Sequence, residues 1–284
     1  MIIEKNLVLA ETSKKPLLYD VFYTPSDNEK PLIIFCHGFK GFKDWGVWDL
    51  VAKQFANAGF FFVKFNFSHN GGTLEQPVDF PDPETFAQNN FSIELDDLDR
   101  MLDHLQSSIK WKNRIDFNRL GLLGHSRGGS IALIKTEEDS RIKKVATWAA
   151  VSDFEARFQV GTEAFNIWRE TGISYIENSR TKQQLPLNFQ FYEDFIQHKT
   201  RLTISRAVKQ IKVPQLIIHG SEDPTVSIKE AKAIHSWNPE SKLEIINGAD
   251  HVFGASHPWN KENLPHDLMR ATKLTANFFQ QPNK

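Results

Sequence analysis

Five consecutive residues constrain this chain more than any other feature: Gly124-His125-Ser126-Arg127-Gly128, a G-x-S-x-G run between the apolar stretch Arg119 to Leu123 and a helical pattern from about Arg127 to Lys135. A strand that reverses at once into a helix needs small residues two positions either side of the turn. The serine at the tip is then presented at the carboxyl edge of a sheet. Ligands of open α/β sheets bind along that edge. A serine that merely caps a helix requires neither a buried strand before it nor flanking glycines.

The remaining pattern supplies such a sheet. From Pro31 onward, short apolar runs alternate with longer amphipathic ones, a βαβα rhythm. Strands are expected at Leu32 to Cys36, Phe60 to Phe65, Arg119 to Leu123, Val145 to Ala150, Gln215 to His219 and Leu243 to Ile246, most of them apolar on both faces as parallel strands are. The clearest helix spans about Ile93 to Ile109, where Leu95, Leu98, Leu102, Leu105 and Ile109 recur at spacings of three and four. Other helices are expected at about Val47 to Ala58, Ile228 to Ser236 and Pro265 to Phe279. Leu7 to Leu9 and Leu17 to Tyr23 flank a polar turn and read as an antiparallel hairpin on the sheet edge.

One segment breaks the rhythm. More than sixty residues separate Ala150 from Gln215, too many for a helix with its connections. Residues 154–206 carry nine aromatics between Phe154 and Phe195. A cap inserted between the sixth and seventh strands of one 1–284 domain is expected, with about two of those aromatics touching a ligand and the others packing the cap.

A serine hydroxyl is a poor nucleophile until a base takes its proton, and the base needs an acid to hold its tautomer. Both partners fall beyond later strand ends. Asp223 follows Gln215 to His219, and His251 follows Leu243 to Ile246, giving the order Ser126, Asp223, His251. Glu222, Asp250 and Asp153 compete for the acid's place, and His257 and His266 for the base's. The first buried strand ends in His37-Gly38-Phe39, where Gly38 lets the backbone turn toward the serine. The Phe39 and Arg127 backbone N–H groups are therefore candidate donors to a tetrahedral oxyanion. The loop Ser68-His69-Asn70-Gly71-Gly72 either shapes the entrance or serves only as a glycine turn. Lys40, Lys43 and Asp44 are expected in solvent.

Charge and composition narrow the partners. With 34 Lys and Arg against 35 Asp and Glu, and no basic run, nucleic acid is not expected. No apolar stretch reaches the roughly 18–20 residues of a membrane span. The single cysteine, Cys36, sits in an apolar strand, and the first residues lack a secretory pattern, so a cytoplasmic protein is expected. A dinucleotide site would want G-x-G-x-x-G after the first strand, where none stands.

Taken together, His37-Gly38-Phe39, Phe65-Asn66-Phe67-Ser68-His69-Asn70-Gly71-Gly72, Gly124-His125-Ser126-Arg127-Gly128-Gly129, His219-Gly220-Ser221-Glu222-Asp223 and Asp250-His251-Val252-Phe253 resemble the α/β-hydrolase superfamily. Within it they are similar to bacterial cinnamoyl (feruloyl) esterases and to dienelactone-hydrolase-like and prolyl-oligopeptidase-like hydrolases. The resemblance covers nearly the whole chain. It implies Ser126, Asp223 and His251 as catalytic residues, oxyanion donors at Phe39 and Arg127, and an acyl-enzyme path needing neither metal nor organic cofactor. The implied substrate is a small ester, with thioesters and amides or peptides as alternatives. A non-catalytic ligand-binding protein is the reading from a different class.

Overall fold

The βαβα rhythm becomes an eight-stranded sheet in the order β1-β2-β4-β3-β5-β6-β9-β10. The structure, a computed structural model, describes residues 1–282. The strands are β1 (Ile2–Glu11), β2 (Lys14–Tyr23), β3 (Lys30–Cys36), β4 (Phe61–Phe65), β5 (Ile115–His125), β6 (Lys144–Trp148), β9 (Gln215–Gly220) and β10 (Lys242–Ile246). Strands β1 and β2 form the expected hairpin and join β4 antiparallel, while all pairings from β4 to β10 are parallel. Parallel pairing puts the carboxyl ends of β3, β5, β9 and β10 on one edge.

Alternation along each buried strand feeds two cores. Leu32, Ile34, Leu122 and Val145 face α3 (Phe91–Ser107), α4 (Arg127–Glu138) and α9 (Ile228–Trp237). Ile33, Phe35, Leu123 and Ala146 face α1 (Trp48–Asn57) and α10 (His266–Gln280). Both faces of the sheet are thus covered, as the doubly apolar strands require. The stripe on α3 holds through Leu95, Leu98, Leu102 and Leu105, but the helix stops at Ser107 and Ile109 is 91% exposed. Ile109 continued the spacing by coincidence and lies in the turn before β5.

The insertion after β6 is a cap. Its order is α5 (Glu163–Thr171), the hairpin β7 (Ile173–Glu177) and β8 (Gln184–Asn188), then α6 (Gln190–Gln197), α7 (Lys199–Leu202) and α8 (Ile204–Gln210). Aromatics dominate its packing: Phe158 meets Phe191, Tyr192 and Phe195 at ring centroid distances of 5.5, 5.1 and 5.2 Å. The helix α2 (Pro83–Ala87) lies between β4 and α3.

Not all charges near the end of β3 are solvated. Lys43 is fully buried, and Asp44 has a side chain only 15% exposed. They join a network with Asp20 of β2 and Lys64 of β4, both with fully buried side chains. The Lys64 Nζ lies 2.7 Å from carboxylate oxygens of Asp20, Asp44 and Asp49 and donates to the Lys43 carbonyl at 2.8 Å. The Lys43 Nζ lies 2.8 Å from Asp20. Charges this deep survive only in mutual pairs, because an isolated one loses its hydration without compensation. The network ties β2, β4 and α1 to the loop after β3. We predict that Asp20→Ala, which removes the fully buried carboxylate shared by two buried ammonium groups, lowers unfolding stability by about 3–5 kcal/mol. Urea unfolding would check this, and a loss below about 1 kcal/mol would contradict it.

Candidate active site

Ser126 occupies the turn between β5 and α4 with φ 54° and ψ −125°, a conformation rarely adopted by a residue with a side chain. Its N–H donates to the Trp148 carbonyl at 2.8 Å, and its own carbonyl accepts from the Gly129 N–H at 3.0 Å. The strained turn is therefore anchored to β6 and to the helix it starts. Close packing explains the glycines. A Cβ on Gly128 would stand 2.3 Å from the Cys36 carbonyl oxygen and 2.4 Å from that of His37, while one on Gly38 would come within 2.9 Å of the Ser126 Cβ. Gly124 packs against Gly128 in the same turn. The loop after β3 consequently lies directly on the elbow.

The N–H groups of Phe39 and Arg127 donate to no acceptor among the described residues. His37 supports their loop: its Nδ1 donates to the Gly38 carbonyl at 2.9 Å, and its Nε2 accepts from the Phe67 N–H at 3.3 Å. Asn70 braces the same loop by donating to the Gly41 carbonyl at 3.2 Å. Its segment, with Gly71 at φ 91°, is a glycine turn and borders no part of the central cavity.

Asp223 and His251 meet across the ends of β9 and β10. The His251 Nδ1 lies 2.8 Å from the Asp223 Oδ2, and the carboxylate is fully buried. Asp223 Oδ1 accepts from the Thr225 and Val226 N–H groups, each at 2.8 Å. His219 Nε2 lies 3.3 Å from Oδ2. Burial acts against ionisation of Asp223, yet the hydrogen bonds from His219, His251 and Val226 outweigh it and hold the carboxyl well below the usual carboxylate range.

The rivals make other contacts. Asp153 Oδ1 accepts from the Glu155 and Ala156 N–H groups, and Asp250 Oδ1 from those of Val252 and Gly254. Glu222 is approached by the Ser221 hydroxyl at 3.5 Å. His257 Nδ1 accepts from the Gly46 N–H at 2.8 Å, and the His266 side chain is 92% exposed beside Asp267.

Ser126, Phe39, Arg127 and His251 all border one cavity of about 820 Å³ between the sheet edge and the cap. Five cap aromatics, Phe154, Phe158, Phe165, Trp168 and Phe191, line it. The G-x-S-x-G pattern points only to the Arg127 backbone N–H. Its side chain is 11% exposed, pairs with Glu94 at 3.1 Å, and lies over the Phe39 ring at 3.8 Å and the Phe191 ring at 5.0 Å. The basic residue directly after the nucleophile candidate, at the head of a helix facing aromatic segments, was the available signal.

Comparisons agree with this architecture. A family model described as alpha/beta hydrolase fold matches residues 31–171. The chain is 25% identical over 154 residues to the serine hydrolase BPHL of Homo sapiens, a match covering 51% of this chain and 53% of that protein. It spans about half the length of the curated relatives it matches. Est1E from Butyrivibrio proteoclasticus aligns at TM-score 0.71 and 16% identity over 97% of both chains. A second Est1E structure, with ferulic acid bound, aligns at 0.70 and 18% identity over 93% of this chain and 94% of that one. A putative hydrolase from Agrobacterium vitis S4 aligns at 0.72 and 17% identity over 99% and 100% of the two chains. The chain has the alpha/beta-hydrolase fold.

Both ring nitrogens of His37 are engaged as a neutral imidazole, and burial lowers its pKa to about 4. Burial likewise lowers that of His125 to about 3, and its Nε2 donates to the His251 carbonyl at 2.9 Å. The folded protein thus takes up a proton on His37 less readily than the unfolded chain, whose histidines titrate near 6.5. The resulting stability is present above about pH 6.5 and is lost as pH falls toward 4. We predict that the stability gap between wild type and His37→Asn, largest at neutral pH, narrows by about 3 kcal/mol on acidification to pH 4. Urea unfolding across that range would read it, and a constant gap would refute the assignment of His37 as a buried neutral imidazole.

Proposed function

We propose that the protein is a serine hydrolase of small carboxylic esters with aryl or short acyl parts, acting through an acyl-enzyme. The observation that carries this reading is the 2.8 Å contact between His251 Nδ1 and Asp223 beside a cavity that Ser126 also borders. In that mechanism His251 takes the Ser126 proton as the hydroxyl oxygen attacks the ester carbonyl. Asp223, ionised by its hydrogen bonds, holds the imidazole tautomer and stabilises the imidazolium. The free N–H groups of Phe39 and Arg127 receive the tetrahedral oxyanion, a contribution of about 10²–10³ in rate per donor in comparable sites. The proton returns to the departing alcohol, and water activated by the same histidine releases the acid and restores Ser126.

The aromatic cap supports an aryl or compact acyl group, since flat apolar walls desolvate such groups at little conformational cost. Est1E, with ferulic acid bound in one of its structures, lends this the support of a shared fold. Thioester and amide cleavage would use the same residues, so matched ester, thioester and amide substrates separate these chemistries. A ligand-binding protein without turnover would not require the strained serine or the paired histidine and acid.

The first test is fluorophosphonate labelling followed by mass spectrometry. Label is expected on Ser126 in the wild type and is expected to vanish in Ser126→Ala and His251→Ala. The kcat/KM toward an activated aryl ester is expected to fall by about 10⁴ or more in Ser126→Ala and by the order of 10⁴ in Asp223→Asn. An unlabelled wild type that is folded, or full activity in Ser126→Ala, would overturn the mechanism.

A further inference from the structure

The charge bordering the cavity is one-sided. Lys40, Arg127, Arg157 and Arg180 line it, and neither an aspartate nor a glutamate does. Asp223 stands behind His251 and is engaged by two histidines. Three of the cations are compensated from outside the cavity: Arg127 by Glu94, Arg157 by Glu230 and Arg180 by Asp79.

Lys40 differs from these. Its Nζ donates to the backbone carbonyl of Glu177 at 3.2 Å, and no carboxylate among the described residues ion-pairs with it. The Glu177 carboxylate is instead engaged by Lys182 at 3.1 Å. Burial pulls the Lys40 ammonium below its ordinary pKa, with only a through-space pull from Glu177 against it. An ammonium has three N–H donors, so two remain for a ligand. Lys40 follows Phe39 in the loop lying on the elbow, and its contact with Glu177 carries it to the cap hairpin, where Asn178 and Arg180 also border the cavity. A partly desolvated cation without a counter-ion favours a ligand that supplies one.

We propose that the ester taken at this site carries a carboxylate, which pairs with the Lys40 ammonium between the loop after β3 and the cap hairpin. This rests on the hydrolase reading above and narrows it to anionic esters. The carboxylate is a spectator: hydrolysis breaks the acyl C–O bond of the ester, and the charged group serves recognition alone.

Two phenyl esters of similar size test it: monophenyl glutarate, and phenyl pentanoate, in which a methyl group replaces the carboxylate. Wild type is expected to show a kcat/KM at least tenfold higher for the glutarate at low ionic strength, with the preference shrinking as salt is added. Lys40→Met is expected to cut that preference about tenfold, and Lys40→Arg to restore most of it. In parallel, calorimetric titration of Ser126→Ala with each ester reads binding without turnover, and tighter binding of the glutarate is expected. Equal or weaker binding of the glutarate overturns the proposal whether or not wild type turns either ester over. A glutarate preference that survives in Lys40→Met overturns it as well. Selective binding of the glutarate together with no hydrolysis of either ester supports carboxylate recognition while the hydrolase reading fails.

Discussion

The reversal at Ser126 is the constraint around which the other parts are arranged. A residue with a side chain held at φ 54° and ψ −125° costs on the order of 1–3 kcal/mol. Such a turn persists only because its surroundings over-determine it: the Trp148 carbonyl holds the Ser126 N–H, and Gly128 admits the backbone of β3 where any Cβ would collide with it. That collision surface brings the loop after β3 to the serine. Sheet order does the rest, since β3 and β5 are neighbours. The two free N–H groups at Phe39 and Arg127 thus come from adjacent strand ends, a juxtaposition set by the backbone rather than by flexible side chains.

A loop held so close to the elbow needs support from below, and the ion network beneath it provides that. Lys64 reaches from β4 to the Lys43 carbonyl and the Asp44 carboxylate, while Asp20 in β2 pairs with both lysines. Buried charge of this kind rarely exceeds well-packed apolar residues in net stability. Its geometric demands are stricter, because an ammonium that loses one partner cannot turn to water for another. Here those demands fall on the segment that begins with His37, whose two ring nitrogens are also both engaged. The hairpin that looked like an edge decoration therefore contributes Asp20 to the support of the loop.

The legible and illegible parts of the sequence divide along physical lines. Strands β3, β5, β6 and β9 were readable because burial on both faces demands continuous apolar runs, and the elbow was readable because only glycine fits its close contacts. Asp223 and His251 followed from strand ends on a common edge. Lys43 and Asp44 were misplaced because a charged residue in a loop is ordinarily solvated, and nothing local reveals that Asp20 and Lys64 wait beneath it. Ile109 shows the converse error, a helical period extended past the point where Ser107 ends the helix. The cap hairpin β7–β8 was harder to read: Leu185 and Leu187 alternate with less buried residues in the five-residue β8, but β7 buries no alternate face and its Tyr175 is 60% exposed.

Arg127 links these levels. Its backbone belongs to the elbow, its guanidinium lies over the Phe39 ring of the neighbouring loop, and the same group faces Phe91 and Phe191 at 5.3 and 5.0 Å. Stacking of a cation on aromatic faces is worth about 0.5–2 kcal/mol, more where water is excluded. Glu94, itself held by Asn89 at 2.8 Å, supplies the counter-charge from α3. One side chain therefore joins the serine's turn, the loop beside it and the first turn of cap helix α6. Displacing the cap at Phe191 must disturb the guanidinium that also lies over Phe39, so the shape of the cavity and the position of the proposed oxyanion loop share these contacts.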